Sequence, residues 1–116
     1  MINKKEYIKI TFMVRGLIEE SKTASPPRLA EIRLELTVLS ANLSEALDDI
    51  LVFKADQLEA FRTELGSSAA ASSKFKSLIE GKQEIYLRGW LLRIKDTKSA
   101  IRTRLDIYRD QNYNQF

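Results

Sequence analysis

The chain has 116 residues, of which 44% are hydrophobic and 30% are charged, and its formal net charge is +3. This composition is typical of one folded domain and lies far from that of disordered or membrane-spanning chains. The sequence contains neither cysteine nor histidine, which excludes disulfides and thiolate sites and removes the commonest general base and metal ligand. We therefore expect a single helical domain over residues 1–116 that binds other molecules rather than catalysing a reaction, with no cofactor and no bound metal.

The first predicted element is a short amphipathic helix over about residues 2–22. Its apolar residues fit a helical stripe, but those of residues 7–15 also alternate with a period of two, as in a strand. We favour the helix because the chain offers no second strand-like segment for pairing, and the choice for residues 7–15 stays open. The helical stripe is Ile10, Val14, Leu17 and Ile18, whereas the alternating set is Ile8, Ile10, Phe12 and Val14.

The N-terminal segment is not expected to direct secretion. Its apolar residues are interrupted by Lys9, Thr11 and Arg15, and no small-residue cleavage site follows them. The sequence also lacks any run of about 18 apolar residues, so we expect no membrane span and a cytoplasmic location.

The second predicted element is a long helix over residues 26–65. It follows a boundary at residues 23–27, where Ser25 is a candidate N-cap and Pro26 a candidate first helical residue. Apolar residues then recur at an alternating spacing of three and four, typical of a coiled-coil seam. After Phe53 a neighbouring stripe replaces this seam, so the helix should change the face that it buries. The seam is Leu29, Ile32, Leu36, Leu39, Leu43, Ala46, Ile50 and Phe53, and the neighbouring stripe is Leu47, Leu51, Leu58, Phe61 and Leu65.

A turn is predicted where the long helix ends. Gly66 suits the left-handed residue that follows a helix, and Ser67 or Ser68 suits the cap of the next one. The run of small residues at 67–73 has two interpretations. It is either this turn with the first turn of a helix, or a mobile loop that orders on a ligand.

The third predicted element is a helix over residues 69–110, followed by a polar tail, residues 111–116, that we expect to fray. Gly81 and Gly89 lie inside its pattern, and each costs about 1 kcal/mol relative to alanine. Either glycine therefore marks a kink or a close approach between helices. The predicted fold is all-α, a long antiparallel helical hairpin with the short N-terminal helix packed across it.

The apolar surface of this hairpin predicts self-association. Two helices cannot each bury apolar stripes on two faces against one another. We therefore expect further copies of the chain to cover the remainder, in an oligomeric helical bundle or ring. The residues expected at this interface are Leu47, Leu51, Leu58, Phe61, Tyr86 and Trp90.

Positive charge is concentrated in the last part of the sequence. The formal charge is +2 over residues 1–25, −4 over residues 26–66 and +5 over residues 67–116, which together give the net +3. Within the third helix, basic residues recur every seven positions and form a ladder with a spacing of about 10 Å along one face. Such a ladder can follow a phosphate backbone. Tyr86, Trp90 and Tyr108 could stack on bases, although a Trp or Tyr at helical spacing more often belongs to a core. The proposed phosphate contacts are Arg88, Lys95, Lys98, Arg102 and Arg109.

The alternative interpretation of the ladder is a surface of structural ion pairs. If the hairpin turns near residue 68, Arg88 lies opposite Asp48 and Asp49, and Arg102 lies opposite Glu35. The same register places Lys95 opposite Asn42 and Arg109 opposite Arg28, so those two cations have no acidic partner. Both interpretations stay open at this point.

The third helix resembles the UvsY-type recombination mediators of tailed phages. The resemblance rests on residues 86–92 (YLRGWLL), on residues 99–104 (SAIRTR) with Ile107, and on the helix end and turn at residues 53–66. It covers roughly residues 50–110 and implies a ring-like homo-oligomer that binds single-stranded DNA and helps to load a recombinase. Residues 57–64 depart from the family, since they are nearly neutral where the family is basic and rich in tyrosine.

These features together favour a non-enzymatic, oligomeric helical protein that binds single-stranded DNA. The alternative is a protein–protein adaptor, or a structural assembly subunit, with no nucleic-acid role. In that case the leftover apolar stripes bind another protein and the charges only confer solubility.

Overall fold

The computed structural model describes residues 4–114, which form four α-helices and no strand. The all-α prediction is confirmed, and residues 7–15 are helical. Residues 2–3 of the predicted first helix and residues 115–116 of the predicted tail lie outside the described part. The helices are α1 (Lys4–Ser21), α2 (Pro26–Leu65), α3 (Ser68–Ser77) and α4 (Ile79–Asn114).

The long helix α2 has the bounds that its sequence predicts. Ser25 precedes it in an extended conformation, and Pro26 is its first residue. The Ser25 hydroxyl makes no capping hydrogen bond, although the Ser25 carbonyl accepts one from the N–H of Leu29 at 2.8 Å. At the other end Gly66 has φ 78°, and its N–H donates to the carbonyl of Arg62 at 2.8 Å. Glycine suits this left-handed position because it has no Cβ to clash.

The prediction of one helix over residues 69–110 is wrong, because the helix is broken at Leu78. That residue is extended, with φ −74° and ψ 160°, and separates α3 from α4. The break lets Phe75 turn into the core, where it is 1% exposed. Gly81 makes the junction possible, since a Cβ at this position would lie 2.1 Å from the carbonyl oxygen of Phe75. Of the two interpretations offered for Gly81, close approach is therefore the correct one.

The other features predicted around the third helix have mixed outcomes. Ser67 caps α3, its hydroxyl accepting a hydrogen bond from the N–H of Ala70 at 3.1 Å. Residues 68–73 are accordingly helical. Gly89 lies within the uninterrupted α4 and has no atom within 4 Å of an added Cβ, so it marks no close approach. Helix α4 also continues to Asn114, which includes residues that we expected to fray.

The helices pack as a hairpin with two shorter helices laid against it. Helix α2 runs antiparallel to α4, α1 contacts both, and α3 fills the angle between α2 and the start of α4. Arg104 on α4 donates to the carbonyl of Ser21 at the end of α1. Apolar side chains from all four helices form one core, which buries Val14, Leu29, Ile32, Leu36, Leu39, Leu43, Ala46, Leu47, Ile50, Ala71, Phe75, Leu87, Trp90, Ile94 and Ile101.

The molecule is elongated and leaves more surface exposed than a compact monomer does. It measures 70 × 27 × 17 Å, and its radius of gyration is 19.1 Å, whereas a compact chain of this length has about 13 Å. The accessible surface is 8000 Å², compared with about 6,500 Å² for compact monomers of this mass. Apolar side chains that are not buried in the core lie on this additional surface.

One carboxylate is buried between α2 and α4. Glu84 is 8% exposed, and it accepts hydrogen bonds from the Lys54 ammonium at 2.7 Å and from the Arg88 guanidinium at 3.2 Å. Burial raises the pKa of Glu84, but the hydrogen bonds from Lys54 and Arg88 outweigh it, and the pKa falls below its ordinary value of 4.5. Because the folded state binds this proton more weakly than the unfolded state, the ionised group stabilises the fold above pH 4.5.

We expect Glu84→Gln to lower the free energy of unfolding at pH 7 by about 1–2 kcal/mol, since two charge-assisted hydrogen bonds are weakened. The deficit should shrink at about pH 3, because wild-type stabilisation is lost as the pH falls through the depressed pKa. Urea unfolding of both proteins at the two pH values measures the effect, with exposed Glu59→Gln as the control. An equal deficit at both pH values would contradict the assignment.

Candidate nucleic-acid interface

A basic groove runs between α2 and α4, with a volume of about 470 Å³. Leu91 and Ile94 contribute its apolar lining, and cations and hydroxyls provide the rest. No acidic side chain of the described residues lines it. The lining consists of Arg33, Ser40 and Ser44 from α2, and Leu91, Ile94, Lys95, Lys98, Ser99 and Arg102 from α4.

The structure brings three of the five predicted phosphate contacts together in this groove, namely Lys95, Lys98 and Arg102. Within residues 4–114 none of the three forms an ion pair with a carboxylate. The other two lie outside the groove lining and are paired along their own helix. Arg88 contacts Glu84 at 3.2 Å, and Arg109 contacts Asp106 at 3.5 Å.

The predicted ion pairs across the hairpin are wrong. Arg88 pairs with Glu84 rather than with Asp48 or Asp49, both of which are exposed on α2. Arg102 does not pair with Glu35, because that carboxylate is held elsewhere.

Arg28, at the start of α2, is the residue that holds Glu35. Its guanidinium donates to Glu35 at 3.3 Å, to Glu31 at 3.1 Å and to Glu20 on α1. These hydrogen bonds raise the pKa of Arg28 above its ordinary value, and the bond from Arg28 lowers the pKa of Glu20. Arg28 thus holds the carboxylates of Glu20, Glu31 and Glu35 at the side of α2 that faces α1.

Arg33 is a groove residue that the sequence reasoning missed. It lies on α2, where the net charge is negative, whereas the predicted basic ladder contains residues of the third helix only. A signal was available, because Arg33, Ser40 and Ser44 follow spacings of seven and four and therefore share one face of the helix. Arg33 forms no ion pair among the described residues, which leaves four cations in the groove without a carboxylate partner.

This arrangement is suited to binding an extended polyanion. Arginine and lysine give charge-assisted hydrogen bonds to phosphate oxygens, and the hydroxyls of Ser40, Ser44 and Ser99 can donate to the same oxygens. The groove lies along two antiparallel helices, with Lys95, Lys98 and Arg102 following one another along α4 and Arg33 on the opposite wall. It can therefore contact successive phosphates of a backbone.

Tyr86, Trp90 and Tyr108 on α4 lie outside the groove lining. Trp90 precedes Lys95 by five residues, which places the two about 140° apart around the helix. Trp90 is 5% exposed, so its ring belongs to the core, the interpretation favoured for aromatic residues at helical spacing, and offers no face for base stacking. Tyr86 and Tyr108 are 44% and 37% exposed. No aromatic side chain of the described residues lines the groove.

Most of the residues predicted at the oligomer interface are buried or half-buried within the single chain. Leu47 and Trp90 belong to the core of the single chain, at 8% and 5% exposure, and have no surface left for another copy. Leu51, Leu58 and Phe61 are half-buried against that core. The predicted interface residue with substantial exposure is Tyr86. Helices α1 and α3 cover surface that a two-helix hairpin would leave free.

Large apolar side chains are exposed at positions outside the predicted interface. On α2, Leu34, Val38 and Val52 are 70%, 63% and 67% exposed; they share the side of the helix opposite the core, which we call the outer α2 face. Val38 also borders an apolar groove of about 600 Å³ between α1 and α2, together with Met13 and Leu17.

Comparison with known proteins gave no match to a family model, to a curated protein or to a solved structure. Among residues 4–114, none of the helices has the length and hydropathy to cross a lipid bilayer. The same residues contain no group of three or more acidic side chains placed to hold a metal ion. The surface features themselves are therefore the basis for inferring a function.

Proposed function

We propose that this protein is a non-enzymatic homo-oligomer that binds single-stranded DNA through the basic groove between α2 and α4. The observation that carries the proposal is the groove itself, in which Arg33, Lys95, Lys98 and Arg102 have no carboxylate partner among the described residues. Four cations without a carboxylate partner give the groove a positive potential that attracts a polyanion.

Self-association is the second part of the proposal. Its support is the outer α2 face, where three large apolar side chains are each more than 60% exposed, and the surface in excess of that of a compact monomer. Assembly would bury these residues and place several basic grooves along one DNA strand. The resemblance to UvsY-type mediators extends the proposal to a cytoplasmic phage protein that helps to load a recombinase.

Salt dependence of oligonucleotide binding tests the groove directly. Each phosphate contact with a single strand releases about 0.7 counterion, so four contacts predict a slope of about −3 for log affinity against log salt. Affinity should therefore fall roughly fifty-fold between about 50 and 200 mM salt. Fluorescence anisotropy of a labelled oligonucleotide measures this slope. An affinity that does not change with salt would show that the groove does not bind phosphate.

A paired variant assigns the binding to the groove. Lys95→Gln combined with Arg102→Gln should lower the affinity roughly tenfold and reduce the slope to about half of its wild-type value, because two of the four contacts are lost. Both residues are exposed, so the fold should be unchanged. Lys76→Gln on α3 is the matched control, since it removes an exposed cation that lies outside the groove and has no ion pair within residues 4–114.

A second candidate function is a protein–protein adaptor or structural assembly subunit. The apolar groove between α1 and α2 favours it, because Met13, Leu17 and Val38 border a volume of about 600 Å³ there. A heterologous protein retained in a pull-down, with no retention of DNA, would favour the adaptor. Rings or filaments that form without any ligand would favour the assembly subunit.

A further inference from the structure

The other flank of α4 carries an aromatic–arginine cluster, formed by Arg15, Tyr86, Trp90 and Arg93. The Trp90 ring is contacted by two guanidinium groups, from Arg15 on α1 at 5.6 Å and from Arg93 on α4 at 4.4 Å from the ring centroid. The Tyr86 ring meets the same indole edge-on, at 6.2 Å and 67°. Trp90 is 5% exposed, so its ring supports the cluster from below.

The exposed side chains of the cluster are arginines and an aromatic residue, which can stack on planar ligands. Arg15 and Arg93 are exposed and form no ion pair with a carboxylate of the described residues. Tyr86 is 44% exposed, and Phe12, one turn before Arg15 on α1, is 74% exposed. Cation–π contact with the indole holds the guanidinium groups in place, which reduces the entropy lost when a ligand binds.

We propose that this cluster, with Phe12, is a stacking surface for the bases of a single strand whose phosphates lie in the basic groove. The proposal rests on the proposed function. Aromatic rings and arginine planes are the groups on which proteins stack unpaired bases. The basic groove has no aromatic residue, so it cannot by itself distinguish an unpaired strand from a duplex. A stacking surface on the same helix supplies that distinction.

The outer side of α4 lies between the two sites and is exposed to solvent. Gly89 lies on the outer side of the helix, and an added Cβ there would have no atom within 4 Å. Since a helix is about 10 Å across, a strand of a few nucleotides is long enough to connect the groove with the cluster. Two unneutralised arginines favour a nucleic acid over an apolar protein partner, which would leave these charges buried and unpaired.

The experiment compares a labelled oligonucleotide with an abasic strand of the same length, which keeps the phosphates and lacks the bases. Phe12→Ala combined with Tyr86→Ala should lower affinity for the intact strand about tenfold and leave affinity for the abasic strand unchanged. Ile107→Ala, which removes another exposed apolar side chain from α4, should change neither. Trp90, the single tryptophan of the chain, should change its fluorescence with the intact strand alone.

Different results separate the failure of this inference from that of the proposed function. If Lys95→Gln with Arg102→Gln weakens both strands while the aromatic variant weakens neither, the groove binds phosphate and the stacking surface is wrong. If no variant changes either affinity, the proposed function itself is wrong. A fall in molecular mass of the aromatic variant, with equal loss for both strands, would show that the cluster contacts a second copy and would overturn the inference.

Discussion

Replacing Gly81 with alanine should lower the free energy of unfolding by about 2–3 kcal/mol, although the same change usually stabilises a helix. The added Cβ would lie 2.1 Å from the carbonyl oxygen of Phe75 and 2.8 Å from the Cα of Lys76. Both contacts are with backbone, so no side-chain rotation can relieve them. The end of α3 would have to move away from α4, which disturbs the burial of Phe75 in the core.

Gly89→Ala is the matched control for this substitution. Gly89 lies in the same helix and is exposed, and nothing lies within 4 Å of its added Cβ. Alanine at this position should raise the free energy of unfolding by about 0.5–1 kcal/mol through helix propensity alone. Urea unfolding followed by circular dichroism measures both variants. Equal effects of the two substitutions would show that α3 and α4 do not meet closely at Gly81.

The contrast between α2 and the third predicted helix shows what local sequence determines in this fold. Helix α2 has a serine and a proline at its start, a glycine after its end and an unbroken apolar seam between them, so its bounds follow from nearby residues. The break at Leu78 has only a weak signal, because no glycine or proline occupies it and the nearest glycine, Gly81, lies three residues further on. It lets Phe75 enter a core built by other helices, and periodicity does not contain that long-range contact.

The ion pairs of the charged residues also depend on contacts between elements distant in the sequence. The seven-residue spacing identified the side of α4 on which Lys95 and Arg102 lie. That Arg102 does not pair with Glu35 could not be predicted from the hairpin alone, because α1 adds Glu20 and draws Arg28 and Glu35 into one network. The same helix contributes Arg15, which covers Trp90. The ion pairs and the interface predicted from the hairpin alone are wrong because α1 packs against both of its helices.

The apolar residues available for self-association are not the predicted ones. Leu47 and Trp90 are buried within one chain, whereas Leu34 and Val38 are exposed side by side, one turn apart on α2. Leu34 also borders a small cavity shared with Arg33 and Lys98 of the basic groove. Assembly through the outer α2 face would therefore occur next to the proposed DNA site, so that neighbouring grooves could contact one strand.

Leu34→Glu combined with Val38→Glu should convert the assembled protein into a monomer of 13.3 kDa. Both side chains are exposed in the single chain, so the substitutions should leave its helices intact, but they place two desolvated carboxylates in any interface that uses this face. Size-exclusion chromatography with light scattering measures the mass, and circular dichroism checks the fold.

Ala69→Glu is the control for these substitutions, because it adds a carboxylate at an exposed position of α3, outside the outer α2 face, and should leave the assembled mass unchanged. Anisotropy with a long oligonucleotide adds a second readout. The monomer should lose more affinity for it than for an oligonucleotide that spans one groove, because only the long strand gains from the high effective concentration of grooves acting together. A wild-type protein that itself elutes at 13.3 kDa at micromolar concentration would exclude self-association. The basic groove would then have to bind DNA as a single site.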